Sequence, residues 1–167
     1  MGITIHYGGQ LRSEARMADL RSIALRWAKK WKCDVDEVDE PEYVYFRVRN
    51  DKLEEYKGPM KGFVLHPHPE TETLAILIAD DGYLQHFCKT QFAPPEAHID
   101  VISFLREIEP HFTDFTVQDD GGYWELEDRD LLERRLGFLN RMIDKLAKAF
   151  PPDTTDRRDA TPKSGDN

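Results

Sequence analysis

KTQFAPPEAHIDVISFLREIEPHFTDFTVQDDGGYWELED, residues 89–128, holds the two local signals on which the fold assignment turns. The first is a helix. Pro94 and Pro95 suit a helix entrance, because the first helical positions need no backbone donor. His98, Val101, Ile102, Leu105, Ile108 and Phe112 then recur at helical spacing on one face, with Phe104 at its margin. Pro110 should distort or end the last turn. The second signal is FTVQDDGGYWEL. Alternation, a Gly-Gly pair and renewed alternation predict a β-hairpin turning on Gly121-Gly122 or on Asp120-Gly121. Either register puts Phe115, Val117, Asp119, Trp124 and Leu126 on the packed side. Thr116, Gln118, Asp120, Tyr123 and Glu125 fall on the other.

His98 and Asp119 are the polar members of these apolar faces. A carboxylate in such a place must pair, accept several hydrogen bonds, or raise its pKa. Two readings stand. Either His98 and Asp119 form an acid/base pair, or Asp119 accepts turn N–H groups at the wet end of the hairpin while His98 is a satisfied core histidine. Glu125 and Asp120, beside Tyr123, are a third place for acid/base work or a solvated strand face. Lys89-Thr90-Gln91 lies where a strand meets the proline-opened helix. Free N–H groups and the helix dipole attract phosphate or carboxylate to such junctions. The candidate catalytic residues are therefore His98, Asp119 and Glu125. The candidate ligand-binding residues are Lys89, Thr90, Gln91, Tyr123 and Trp124.

Upstream, ITIHY at residues 3–7 starts a strand that Gly8-Gly9 should end, and Ser13 is a plausible N-cap. The next helix carries Met17, Leu20, Ile23, Ala24, Trp27 and Trp31 along one arc. VDEVDE and the better strand EYVYFRV (residues 42–48) follow, and residues 49–59 look like a charged loop. MKGFVL (60–65), TLAILIA (73–79) and residues 83–90 read as a three-stranded antiparallel meander turning on Asp80-Asp81-Gly82. Downstream, Asp128 should cap a helix from about Arg129 to Phe150. Its stripe of Leu132, Leu136, Leu139, Ile143, Leu146 and Phe150 is spaced close to 3.5 residues. Such a stripe either seals a self-association seam or lays a long helix across a sheet. The order βα-ββββ-α-ββ-α implies an α+β fold, with an antiparallel sheet of about five to seven strands packed mainly on one face by three helices. A single domain over residues 1–150 and a disordered tail over 151–167, rich in proline and lacking large apolar residues, complete the expected organisation.

Composition narrows the function classes. A net charge of −9 disfavours a general nucleic-acid or membrane binder. No apolar run reaches membrane-spanning length, no signal-like segment opens the chain, and cytoplasm is the expected compartment. Charge is uneven: residues 12–32 carry seven Lys/Arg against two Asp/Glu, and residues 34–55 carry nine Asp/Glu against three Lys/Arg. The basic helix and the acidic segment after it should partly compensate each other. Cys33 and Cys88 form no Cys-x-x-Cys unit, and a disulfide is not expected in a reducing compartment. His66, His68 and Glu70 share one side of an extended segment, but zinc wants further ligands, so neither metal nor cofactor is expected. P-loop, dinucleotide, nucleophile-elbow and His-Glu-x-x-His signatures do not occur.

Lys89-Thr90-Gln91-Phe92, then His98, then Asp119-Asp120-Gly121-Gly122-Tyr123-Trp124-Glu125 with Asp128 resembles a family of small uncharacterised bacterial proteins. Its pattern is KTQFG, then GH, then DEGGYWETRD. ITIHYGGQL at residues 3–11 is similar too, so the resemblance covers about residues 1–135. Ala93 and Ala97 stand where the family has glycine, Asp120 where it has glutamate, and Leu126 where it has threonine. The resemblance implies no activity. It implies that Lys89, Gln91, His98, Asp119, Tyr123, Trp124 and Glu125 act as one cluster. The expected function is a non-catalytic binding or regulatory module, a homodimer through the 129–150 helix. The alternative is a small enzyme with an acid/base or anion-binding site around Lys89, His98 and Asp119.

Overall fold

The structure, a computed structural model, describes residues 2–150, so the expected tail over 151–167 lies outside the described residues. The fold is α+β. Six antiparallel strands form one open sheet, in the order β2-β3-β4-β5-β1-β6. The strands are β1 (Thr4–Leu11), β2 (Asp36–Arg49), β3 (Lys52–Leu65), β4 (Leu74–Ala79), β5 (Tyr83–Lys89) and β6 (Phe112–Asp119). The helices are α1 (Arg16–Trp31), α2 (Pro95–Ile108), the single turn α3 (Tyr123–Leu126) and α4 (Arg129–Ala149). Among the described residues no helix is long and apolar enough to cross a membrane.

α1 and α2 pack on one face of the sheet. Their apolar arcs, Leu20, Ala24 and Trp27 on α1 and Val101, Ile102 and Leu105 on α2, close over Ile5, Phe63, Ile76 and Leu84. Each large side chain fully enclosed there contributes roughly 1.5–3 kcal/mol. The helices also meet through charge: Arg26 pairs with Glu107, and Lys30 with Asp100. Arg21 pairs with Glu37 of β2, so the basic helix meets the acidic segment at this pair, while Arg26 and Lys30 turn to α2.

β4 is buried on both faces, which is why LAILIA is almost continuously apolar. Leu74, Ile76 and Ile78 join the helix-side core. Leu77 and Ala79 join a second cluster with Met60, Val38, Tyr43 and Tyr45 on the opposite face. That second cluster exists because β2 and β3 are long. Their outer halves run past the end of β4 as a two-stranded arm that folds over the far face. Arg47 and Arg49 pair with Asp81, the Val48 N–H donates to Gln85 Oε1, and the Tyr83 hydroxyl donates to the Val48 carbonyl.

Several expectations change. The predicted loop at 49–59 is mostly strand, turning at Asn50-Asp51, and VDEVDE and EYVYFRV are one strand with a bulge between Glu40 and Tyr43. β1 does not stop at Gly8-Gly9. A Cβ at Gly8 would lie 2.7 Å from the Leu84 carbonyl oxygen, so glycine there allows close strand packing rather than a turn. Ser13 does not cap α1, which starts at Arg16 after Ala15. Phe112 belongs to β6, beyond the 3₁₀ turn containing Pro110, and keeps its place in the core.

The largest correction concerns the predicted hairpin. β6 has no return strand: after Gly121-Gly122 the chain enters α3, giving βα-ββββ-α-β-αα. A type I′ turn needs positive φ at both central residues, and here only Gly122 has it, at 75°. Leu126 is consequently exposed instead of packed. Nor is α4 laid across the sheet. Only Leu132 and Leu136 are buried, Leu139 packs partly against them and Ile3, and the stripe beyond, Ile143, Leu146 and Phe150, is exposed.

Candidate functional site

Asp119 ends β6 with its side chain on the helix-side face, opposite α2. His98 sits in the first turns of α2, where the proline entrance directs it toward the sheet. His98 Nε2 lies 3.1 Å from Asp119 Oδ1 and 3.2 Å from Oδ2. Thr90, in the link between β5 and α2, completes the row, with its Oγ1 2.7 Å from His98 Nδ1. The pairing of histidine and carboxylate that one of the two sequence readings allowed therefore occurs, although no hairpin brings it about.

Asp119 carries more than the imidazole. Its Oδ1 accepts from the Gly121 N–H at 2.7 Å and its Oδ2 from the Trp124 N–H at 3.0 Å. These bonds turn the chain from β6 into α3. The two glycines have separate duties. Gly121 lies against the imidazole, where a Cβ would come within 2.9 Å of His98 Cε1 and Nε2 and 2.7 Å of Leu132 Cδ1. Gly122 supplies the left-handed backbone before α3.

The surroundings of Asp119 set its charge. Burial pushes the Asp119 carboxyl up, but the hydrogen bond and charge of His98 and the Trp124 and Gly121 N–H groups outweigh it, so the pKa ends below the usual aspartate value. Asp119 is thus a carboxylate, and a carboxylate only accepts, so the His98 Nε2–H donates to it. His98 Nδ1 is hydrogen-bonded to the Thr90 hydroxyl. Hydroxyl, imidazole and carboxylate stand in the chemical order of a nucleophile–base–orienter triad. The environment defeats that chemistry. Thr90 and His98 are 0% exposed, as is the Asp119 side chain. None of the four main surface hollows is lined by Thr90, His98 or Asp119.

The remaining candidates divide. Gln91, buried beside this row, accepts from the Ile3 N–H at 2.7 Å and donates to Asn140 Oδ1 of α4 at 2.9 Å, tying β1 to α4. Trp124 joins through its backbone, while its ring lies under Arg106 and near Phe115. Tyr123 is half-buried between the main core and the small cluster of Ile3, Leu132 and Leu136. Lys89 does not belong. Alternation with Cys88 sends it to the far face of the sheet, where its ammonium lies over the Phe92 ring. Glu125 is exposed on α3. His66 is exposed, and His68 accepts the Glu70 N–H at Nδ1. Among the described residues no three His, Cys, Asp or Glu side chains are grouped to hold a metal. Cys33 and Cys88 are both free.

Sequence reasoning missed a second polar centre, where β4 and β5 part after the single pair Ile78–Leu84. There the Tyr7 hydroxyl donates to the Ala75 carbonyl at 2.7 Å and accepts its N–H at 3.2 Å, in place of a strand. His86 fills the gap beside it. Burial pushes its imidazole down to about 4, only partly offset by the Leu77 backbone, and Nε2 is buried with no partner among the described residues. The available signal was Tyr7 and His86 on the apolar sides of their strands.

No family model, curated protein or solved structure matches the chain.

Proposed function

We propose that the protein is a cytoplasmic, non-catalytic binding module that self-associates through the distal half of α4. The observation that carries the non-catalytic reading is the enclosure of Thr90, His98 and Asp119. The best acid/base constellation in the chain has its imidazole nitrogens and carboxylate oxygens engaged internally, with no opening for a substrate. A catalytic base must lie within hydrogen-bond reach of the proton it takes. Here the row instead holds the start of α2, the end of β6 and the entry to α3 in one geometry, leaving recognition to the surfaces around it.

Carbethoxylation of native protein, read by peptide mass spectrometry, tests the enclosure. His6 and His66 are exposed and serve as internal standards. The expected result is rapid modification of both and none at His98 until the protein is unfolded. Modification of native His98 at the rate of His6 overturns the non-catalytic reading.

A further inference from the structure

The far face of β5, β1 and β6 and the underside of the β2–β3 arm enclose an open groove of about 600 Å³. Its walls are unlike the rest of the surface. The chain is 33% charged, yet none of the residues lining this groove is Asp, Glu, Lys or Arg. Tyr43, Tyr45 and Phe46 line the arm side. Phe87, 54% exposed, projects from β5 opposite them, tilted against His6 at 5.8 Å.

Between the rings stand Gln85, Thr116 and Gln118. Gln85 uses its oxygen on the Val48 N–H, and its amide N–H groups have no hydrogen-bond partner among the described residues. Thr116 and Gln118 make no side-chain hydrogen bond among the described residues.

The geometry points to a neutral carbohydrate chain as the occupant. The argument rests on complementarity. An uncharged wall excludes phosphates, nucleic acids and acidic peptides, which need cations to replace their hydration. A pyranose ring has C–H groups on its faces and hydroxyls round its edge. That division matches aromatic faces flanked by amide and hydroxyl groups. The ring's edge hydroxyls meet the amide and hydroxyl groups of Gln85, Thr116 and Gln118. The open form of the groove fits a stretch of polymer rather than an enclosed small molecule. This inference rests on the reading of the protein as a binding module, but not on α4, which lies elsewhere.

The experiment titrates full-length, ¹⁵N-labelled protein with cello-, malto- and N-acetylchito-oligosaccharides, with oligogalacturonate and a neutral proline-rich peptide as contrasts. The expected result is saturable amide shifts centred on Gln85, Phe87 and Gln118 with at least one neutral oligosaccharide and weaker binding of oligogalacturonate. Phe87→Ala, at an exposed site, should keep the wild-type melting curve and weaken binding about tenfold or more, as truncation of an aromatic anchor does. Absence of saturation by every neutral oligosaccharide at about 10 mM overturns the inference, since that is weaker than even millimolar recognition. So does affinity unchanged in Phe87→Ala, or preference for the peptide. Chromatography of the sugars after incubation separates the two levels. Intact probes leave both readings standing, whereas shortened probes with the same shift map keep the groove and end the non-catalytic reading.

Discussion

His98 and His86 are both imidazoles facing the helix-side interior, and their surroundings set them to opposite uses. His98 has a hydroxyl on one nitrogen and a carboxylate on the other, so its burial is compensated. His86 has an orphaned nitrogen and no carboxylate partner, so burial depresses its basicity to about 4. The consequence for stability is directional. Above the unfolded-state value near 6.5 neither state holds the proton. As pH falls from 6.5 toward 4 only the unfolded chain takes it up, so stability falls by up to about 3 kcal/mol across that window. Asp119 acts lower. Its depressed pKa gives stability that is present above about 3.9 and lost as pH falls through its folded value. Urea unfolding between pH 7 and 4 should therefore show a decline that His86→Phe flattens. An unchanged slope in the variant would assign the decline to other groups. Of this scale the sequence disclosed a good deal: an imidazole and a carboxylate on two apolar faces had to be reconciled, and they were. It did not disclose Thr90 as the third member, because a threonine at a strand end has many uses and only the backbone path between β5 and α2 aims it.

The Gly-Gly signal shows why elements were less legible than residues. Two glycines amid alternating residues fit a hairpin equally well as a turn into a helix, and the choice lay with Asp119, whose carboxylate collects the Gly121 and Trp124 N–H groups and winds the chain the other way. Likewise, the charges at 49–59 suggested a loop because strand propensity there is poor. They form the exposed side of an arm whose inward side, Tyr43, Tyr45, Arg47 and Tyr56, is anchored from far away in sequence. Arg47 is the anchor. Only 6% exposed, it pairs with Asp81 through both terminal nitrogens and with Glu54, between the Tyr56 and Tyr83 rings. Asp81 in turn is held below the usual carboxylate range chiefly by Arg47. Asp81→Asn should cost about 2 kcal/mol, less than a fully enclosed pair would because Glu54 remains. Hydrogen exchange checks the location: the Val48 amide should exchange faster in the variant, while amides of α2 keep their protection. Equal acceleration throughout would mean that the arm is not a separable unit.

At the scale of the whole molecule, α4 is the element that one copy of the chain leaves unfinished. Its first two turns are fastened by the Asp128 cap, which accepts the Leu131 N–H, and by buried Leu132 and Leu136. Leu139 still packs against the Ile3 cluster, and beyond it the stripe continues at the same spacing with no core cluster over it among the described residues. Phe138 is 56% exposed, Leu146 57% and Phe150 77%, with Met142 and Ile143 beside them. Residues 137–150 extend about 21 Å at 1.5 Å per residue. Small residues, Ala147 and Ala149, flank the seam, and Arg141, Asp144, Lys145 and Lys148 lie off it. A second copy running antiparallel meets the same pattern, since a two-fold interface needs only self-complementarity. Two helices of this length form a small interface, so affinity on the order of micromolar is expected. Sedimentation equilibrium of the full chain should thus show concentration-dependent passage from the 19.5 kDa monomer to twice that mass. Ile143→Glu combined with Leu146→Glu changes only exposed positions, so it should leave the melting temperature nearly unchanged while holding the protein monomeric. A wild-type chain that stays monomeric at several hundred micromolar, roughly a hundredfold above that affinity, removes self-association from the proposed function and leaves the groove to stand or fall on its own binding data.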